Sequence, residues 1–261
     1  MKKYIKYFVV FILIFSAFIT TVIPPIDLHR KNYRFLLCMS SFKRPIFASG
    51  QIFRLMNQTY PHFDISVSMK GVDESWSQIT FEKEWKQFKE ANRLFVRYDE
   101  NRGQLHNLLD TVRDIDLNRY DYFCKIDDDD WYAPTYLETV NNELNKQENI
   151  AISHSTNTYT LTEDVMSTYF NVNGSNLSGP TMCFSREIIK IALEIEKNPD
   201  LLHTYLPEEA YSYLFIARED RLLHHLARNI GQEQYRQADE PQVIYGWQYR
   251  SVTRNNNYVK Y

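Results

Sequence analysis

Residues 122–130 read Tyr-Phe-Cys-Lys-Ile-Asp-Asp-Asp-Asp, and no other stretch constrains the fold as much. The first five residues have the length and apolarity of a buried strand. Four adjacent aspartates then follow without a break, and they cannot all stay ionised together without a counter-charge. Upstream, three more short apolar runs alternate with helical patterns. Residues 33–39 (YRFLLCM), 63–69 (FDISVSM) and 94–98 (LFVRY) read as strands. Pro45 opens a helix whose apolar positions are Ile46, Ile52, Phe53 and Met56. Residues 81–93 are charged and helical, and residues 104–115 form a helix with Leu105, Leu108, Leu109 and Val112 on one face. This βαβαβαβ order predicts an α/β fold with a mostly parallel sheet flanked by helices. Ligands of such sheets bind at the carboxyl ends of the strands, so the acidic run marks the expected site.

Composition narrows the alternatives. Hydrophobic residues make up 44% of 261, enough for a packed core. The net charge of −3 offers no broad attraction to a phosphate backbone, so nucleic acid is not expected as a partner. Cys38, Cys124 and Cys183 are far apart in apolar runs, which reads as three buried small hydrophobes rather than a disulfide framework.

The amino terminus carries a different signal. Residues 7–23 contain no charge, follow Lys2, Lys3 and Lys6, and end at Pro24-Pro25. As a helix they span about 25 Å, near the lower limit for crossing a bilayer. Bulky Phe18, Ile19 and Val22 occupy the positions a signal-peptidase site would need. A single-pass membrane anchor over residues 1–25 is therefore expected, followed by a linker over 26–33. Basic residues also follow the span (His29, Arg30, Lys31, Arg34), so the positive-inside rule assigns no orientation.

The second half is less regular. Residues 134–148 look helical and 150–154 form a short strand. Residues 159–178 are polar and read as loop, 179–184 as a strand and 186–196 as a helix. Residues 219–230 form another helix, with Leu222, Leu223, Leu226 and Ile230 inward and Gly231 as its C-cap. Adjacent His224 and His225 read as surface or core-edge residues.

The acidic run is directly flanked by an apolar strand and by Trp131, Tyr132 and Pro134, which predicts a divalent-cation site rather than a solvated face. An EF-hand fails on counting, because Trp131 and Tyr132 occupy the places of its fifth ligand and its glycine. Two or three carboxylates, with waters and a phosphate-bearing substrate, suit Mg²⁺ or Mn²⁺. Such a cation neutralises charge as a diphosphate leaves.

Six segments in order resemble the family 2 glycosyltransferases of GT-A fold. They are Ser40-Ser41-Phe42-Lys43-Arg44-Pro45, Leu55-Met56-Asn57-Gln58-Thr59-Tyr60, Asn101-Arg102-Gly103 with Asn107, the stretch from Ile126 through Asp127-Asp128-Asp129-Asp130 to Pro134, residues 179–186, and Glu219-Asp220 with Arg228 and Gly231. The resemblance covers roughly residues 33–250. It implies a nucleotide-sugar donor, a D-x-D-bound Mn²⁺ or Mg²⁺, a glycan or lipid-linked acceptor, and inversion at the anomeric carbon. By the same resemblance Asp129 ligates the metal with Asp127 and Asp130, and Asp127, Asp128, Arg44, Arg102 and Asn107 hold the donor. Asp220 is the general base that Glu219 positions. Residues 34–130 become the donor half and 131–261 the acceptor half of one domain. Two departures stand out. The second strand ends in Ser68-Met69-Lys70-Gly71 where the family has an acidic pair, with Asp73 a substitute, and residues 245–250 (YGWQYR) lack the histidine ligand of many relatives. Two alternatives are a sugar nucleotidylyltransferase, which needs a glycine-rich phosphate loop absent from SSFKRP, and an inactive GT-A-like glycan-binding module.

Overall fold

The computed structural model describes residues 30–72, 82–155, 157–161, 166–170, 181–205, 208, 219–236 and 243–245. The expected anchor over 1–25 and Asp73 lie outside them. No helix among the described residues is long and apolar enough to cross a membrane. The chain separates into two compact units, Met1–Lys31 and Asn32–Tyr261, and all the elements below belong to the second.

The predicted alternation is present. Strand β1 (Phe35–Phe42), helix α1 (Pro45–Leu55), β2 (Phe63–Lys70), α2 (Glu82–Glu90), β3 (Leu94–Asp99), α3 (Gln104–Asp110) and β4 (Tyr122–Ile126) follow in order. After them come β5 (Trp131–Tyr132), α4 (Tyr136–Leu144), β6 (Ile150–Ser155), β7 (Asn157–Leu161), β8 (Met166–Phe170) and β9 (Cys183–Ser185). The last elements are α5 (Arg186–Lys197), α6 (Leu202–Tyr205), α7 (Glu219–Ile230), β10 (Gln232–Arg236) and β11 (Val243–Tyr245). The main sheet runs β10-β6-β9-β4-β1-β2-β3. β1 pairs parallel with both β2 and β4, β3 with β2, and β10 with β6. Only β9 is antiparallel to its neighbours β4 and β6.

Both faces of β1 are buried, so its residues alternate between two cores. Phe35, Leu37 and Met39 pack with Ala48, Ile52 and Leu55 of α1 and Leu137, Val140 and Leu144 of α4. Leu36 and Cys38 pack with Leu105, Leu108 and Leu109 of α3, Ile188 and Ile189 of α5, and Leu222, Leu223 and Leu226 of α7. A continuous apolar run is what a strand buried on both sides requires. At the amino edge, fully buried Asp64 accepts hydrogen bonds from Arg34 Nη2 at 2.8 Å and Tyr120 Oη at 2.7 Å, which offset its desolvation.

Several expectations need correction. Residues 159–178 are not all loop, because β7 and β8 form an antiparallel hairpin. With β5 and β11 they build a second sheet in the order β5-β11-β7-β8. Their Thr and Tyr residues suit strands, but no apolar alternation announces them. Cys124 and Cys183 are not independent hydrophobes. They face each other across β4 and β9 and are disulfide-bonded, while buried Cys38 stays free, its thiol pushed up to about 12 by burial. Gly231 is required by close approach, since a Cβ there would lie 2.9 Å from both Ala151 Cβ and the Asn149 carbonyl oxygen. Of the apolar positions read in α1, Ile52 is buried with Ala48, Ser49 and Leu55, while Ile46 and Phe53 are exposed. Ile230 of α7 is likewise exposed.

Candidate active site

β2 and β3 lie on one side of β1, and the chain then crosses to add β4 on the other. The strand order therefore reverses between β1 and β4. Connections leaving adjacent strands in opposite directions open a crevice at their carboxyl ends. The carboxyl end of β1 with the residues that follow it, Ser41–Pro45, and the residues after β4, Asp127–Asp130, meet there. The Ser41 hydroxyl donates to Asp128 Oδ2 at 2.5 Å. The Arg44 guanidinium pairs with Asp128 through Nη2 and donates from Nη1 to Asp129 Oδ2 at 2.7 Å. The missing counter-charge of the acidic run is thus supplied in part by Arg44.

The four aspartates follow β4 through a turn, and their exposure alternates. Asp128 and Asp130 are buried at 2% and 0%, whereas the side chains of Asp127 and Asp129 keep 31% and 15% exposure. Burial pushes the Asp128 carboxyl up to about 7, the neighbouring Asp129 and Asp127 charges push the same way, and Arg44 and Ser41 oppose them. Among the described residues no three His, Cys, Asp or Glu side chains are disposed to hold a metal ion. Asp127 and Asp129 are the two of the run with exposed oxygens. A hard divalent cation fits there as a two-carboxylate site whose remaining ligands are water and phosphate.

The loop following the run is held by the LMNQTY segment. Gln58 Nε2 donates to the Ala133 carbonyl at 2.6 Å, and Gln58 Oε1 accepts from the Leu137 amide at 3.0 Å. The Thr59 amide donates to the Pro134 carbonyl at 2.8 Å. The Asp127 amide donates to buried Tyr132 Oη at 3.0 Å. Trp131, 38% exposed, sits on β5, which pairs with β11, so the carboxyl-terminal residues 243–245 lie beside the run.

Asn107 and Arg102 sit at the neighbouring strand ends. Asn107 Oδ1 accepts from the Arg102 amide at 3.1 Å, and its Nδ2 donates to Asn101 Oδ1 at 2.6 Å, which fixes the β3–α3 turn. Gly103 takes φ 97° there, a region other residues rarely adopt. The Arg102 side chain pairs with Asp110. Glu219 and Asp220 open α7, but their side chains lie outside the described residues.

Sequence reasoning missed one cluster. Lys70, where an acidic residue was expected, is fully buried, 2.5 Å from Asp110 and 3.5 Å from Asp99. Asp99 also accepts from Ser68 at 2.9 Å, so β3 supplies a carboxylate at the edge where β2 lacks one. Arg113 joins Asp110 to Glu196, and His106 also reaches Glu196. The signal was Lys70 itself, since a lysine ending a buried strand needs an acidic partner. Burial alone would raise the Asp110 carboxyl, but hydrogen bonds from Lys70 and Arg113 and the charges of Lys70 and Arg102 outweigh it and hold it low.

Lys70→Met should therefore cost about 3 kcal/mol at pH 7, by leaving a buried carboxylate short of one partner. A depressed carboxyl contributes stability above its unfolded value of about 4 and loses it as pH falls through the folded value. The gap between the two proteins should be constant from pH 6 to 8 and narrow in the acid limb. Urea midpoints across that range check this, and a gap that persists at low pH would contradict the ion-pair account.

No protein-family model and no curated protein matches the chain. Among solved structures it is similar to TarS of S. aureus, residues 1–349 in complex with UDP, at 13% identity, covering 82% of this chain and 60% of that one with a TM-score of 0.49. Another structure of S. aureus TarS gives 12%, 82%, 36% and 0.46. The mannosyltransferase PcManGT from Pyrobaculum calidifontis, in complex with GDP-Man and Mn²⁺, gives 13%, 64%, 50% and 0.42. The chain thus spans less than two thirds of each of these proteins. The site's own geometry carries the functional conclusion.

Proposed function

We propose that the chain is a glycosyltransferase of GT-A type, moving a sugar from a nucleoside-diphosphate donor to a hydroxyl of a glycan or lipid-linked acceptor with inversion. One observation carries this reading. The loops after β1 and β4 meet at the reversal of strand order, and there they gather Ser41, Arg44 and four aspartates. A site combining a cation-binding carboxylate pair with a guanidinium is suited to a diphosphate.

Asp129 and Asp127 would hold Mn²⁺ or Mg²⁺, which supplies positive charge to the departing diphosphate. Arg44, released from Asp128 and Asp129, pairs with a phosphate oxygen. Asn107 and Arg102 shape the wall of the donor crevice, and Trp131 offers an exposed ring face for a sugar. Asp220 accepts the proton of the acceptor hydroxyl as its oxygen bonds to the anomeric carbon and the bond to the diphosphate breaks. Glu219 holds Asp220 in place.

Topology supports the placement of Asp220. α7 packs on β6 and ends one residue before β10 begins, and β10 runs parallel to β6. A helix feeding a strand at its amino edge starts about 18 Å away, toward the carboxyl edge. That is the edge bearing the acidic run. A helix start also favours ionised carboxylates.

The experiment is donor hydrolysis. The full chain is incubated with UDP-, GDP-, ADP- and dTDP-sugars, with Mn²⁺ or with EDTA, and nucleoside diphosphate release is measured. At least one donor should be cleaved with Mn²⁺ and spared with EDTA. Pyrophosphate release from a nucleoside triphosphate and a sugar phosphate would instead identify a nucleotidylyltransferase.

A further inference from the structure

The outer face of α1 is apolar. Ile46 is 62% exposed, Phe53 48% and Phe47 40%. Together with Trp131 they are four of the five large hydrophobics exposed among the described residues. At about 100° per residue, Phe53, Ile46, Gly50, Arg54 and Phe47 fall within an arc of about 120°. The opposite arc holds the buried Ala48, Gln51, Ile52 and Leu55. The helix is therefore apolar on both sides, which a solvated helix is not.

Trp131 continues this face, because α1 packs against β5 and Arg54 Nη1 reaches the Asp130 carbonyl at 3.5 Å. The Arg44 guanidinium lies 5.9 Å from the Phe47 ring, so the apolar face borders the candidate active site.

We infer that this face of α1 seats on the surface of a lipid bilayer carrying anionic headgroups. Two observations select that occupant. The first is charge. α1 contains no acidic residue, and the exposed cations at its two ends are Lys43, just before it, and Arg54, in its last turn, while Arg44 is engaged by Asp128 and Asp129. An apolar face flanked by cations matches an interfacial helix, whose aromatic and aliphatic side chains enter the headgroup boundary beside basic residues.

The second is the chain outside the described residues. The charge-free run over 7–23 ends about ten residues before Tyr33, and ten residues reach at most about 35 Å. If that run enters a bilayer, as the anchor reading holds, the body cannot leave the membrane's vicinity. An exposed apolar helix then has a surface to cover it. Seating α1 would bring the mouth of the site to the level at which a lipid-linked acceptor presents its sugar.

The test uses the full chain bound to vesicles of phosphatidylethanolamine and phosphatidylglycerol that include a lipid brominated near the headgroup. An environment-sensitive fluorophore is attached through Phe53→Cys. A control carries it through Lys190→Cys on α5, across the sheet from α1. The inference expects the label at residue 53 to be quenched and the label at 190 to stay bright. Adding Ile46→Ser should restore fluorescence at residue 53. A chain that sediments with the vesicles while residue 53 stays bright overturns the inference, as does a chain that does not bind them. Energy transfer between labels at residue 53 that rises with protein concentration, without quenching, identifies a second copy as the occupant and also overturns it. Quenching is independent of sugar transfer, so donor hydrolysis by the same labelled protein separates failure here from failure of the proposed activity.

Discussion

Asp220→Asn is expected to reduce sugar transfer by about 10²–10⁴-fold while leaving donor and metal binding nearly intact. That range is the usual worth of a positioned general base. The expectation rests on a division of labour between two ends of the sequence. The 127–130 cluster follows β4 and is the proposed diphosphate site, whereas Asp220 opens α7, some 90 residues later. An inverting displacement requires base and leaving group on opposite faces of the sugar, which separate elements can supply. Calorimetry with the donor and turnover with an acceptor measure the two roles independently. Should Asp220→Asn lose donor binding as well, Asp220 belongs to the diphosphate site. Should it keep full turnover, the acidic pair is a helix-start feature, and Glu219 and exposed Glu208 become the bases to test.

The second large effect is at the acidic run. Asp129→Asn should weaken Mn²⁺-dependent donor binding by more than about 100-fold. Altering a hydrogen-bond partner behind a metal ligand already costs about 10–100-fold, and a neutral amide is a much poorer ligand for a hard cation. The variant should also remove one of the two carboxylates that Arg44 engages. Arg44→Gln tests the other side of that balance. Without a guanidinium competing for Asp129, Mn²⁺ alone should bind more tightly, which electron paramagnetic resonance of free Mn²⁺ reads directly. Equal Mn²⁺ affinity in wild type and both variants would place the cation elsewhere.

The parallel core of the fold was legible because short strand-like runs alternate with helical patterns, and because β1, buried on both faces, is apolar throughout in FLLCM. The acidic run was legible for the converse reason, since its charges interrupt a strand without a loop. The hairpin β7–β8 was not, because the sequences NTYTL and MSTYF show no alternation of apolar and polar residues that would set them apart from a loop. The Cys124–Cys183 pair was hidden as well. β9 is only three residues long, and its antiparallel register against β4 depends on the whole sheet. Which face of α1 turns inward was not legible, because apolar residues occupy both of its faces and periodicity alone does not choose between them. Lys70 was visible as a departure, but its partners come from later elements: Asp99 meets it through the β2–β3 register and Asp110 through the end of α3.

The central claim is that the crevice between the ends of β1 and β4 binds a nucleotide-sugar diphosphate. Isothermal titration of the full chain with a panel of nucleotide sugars, with and without Mn²⁺, tests it most directly. The account predicts saturable, Mn²⁺-dependent binding of at least one nucleoside-diphosphate sugar, abolished by Asp129→Asn and spared by Asp220→Asn. Absence of binding by every member of the panel, or binding unaffected by Asp129→Asn, would contradict it.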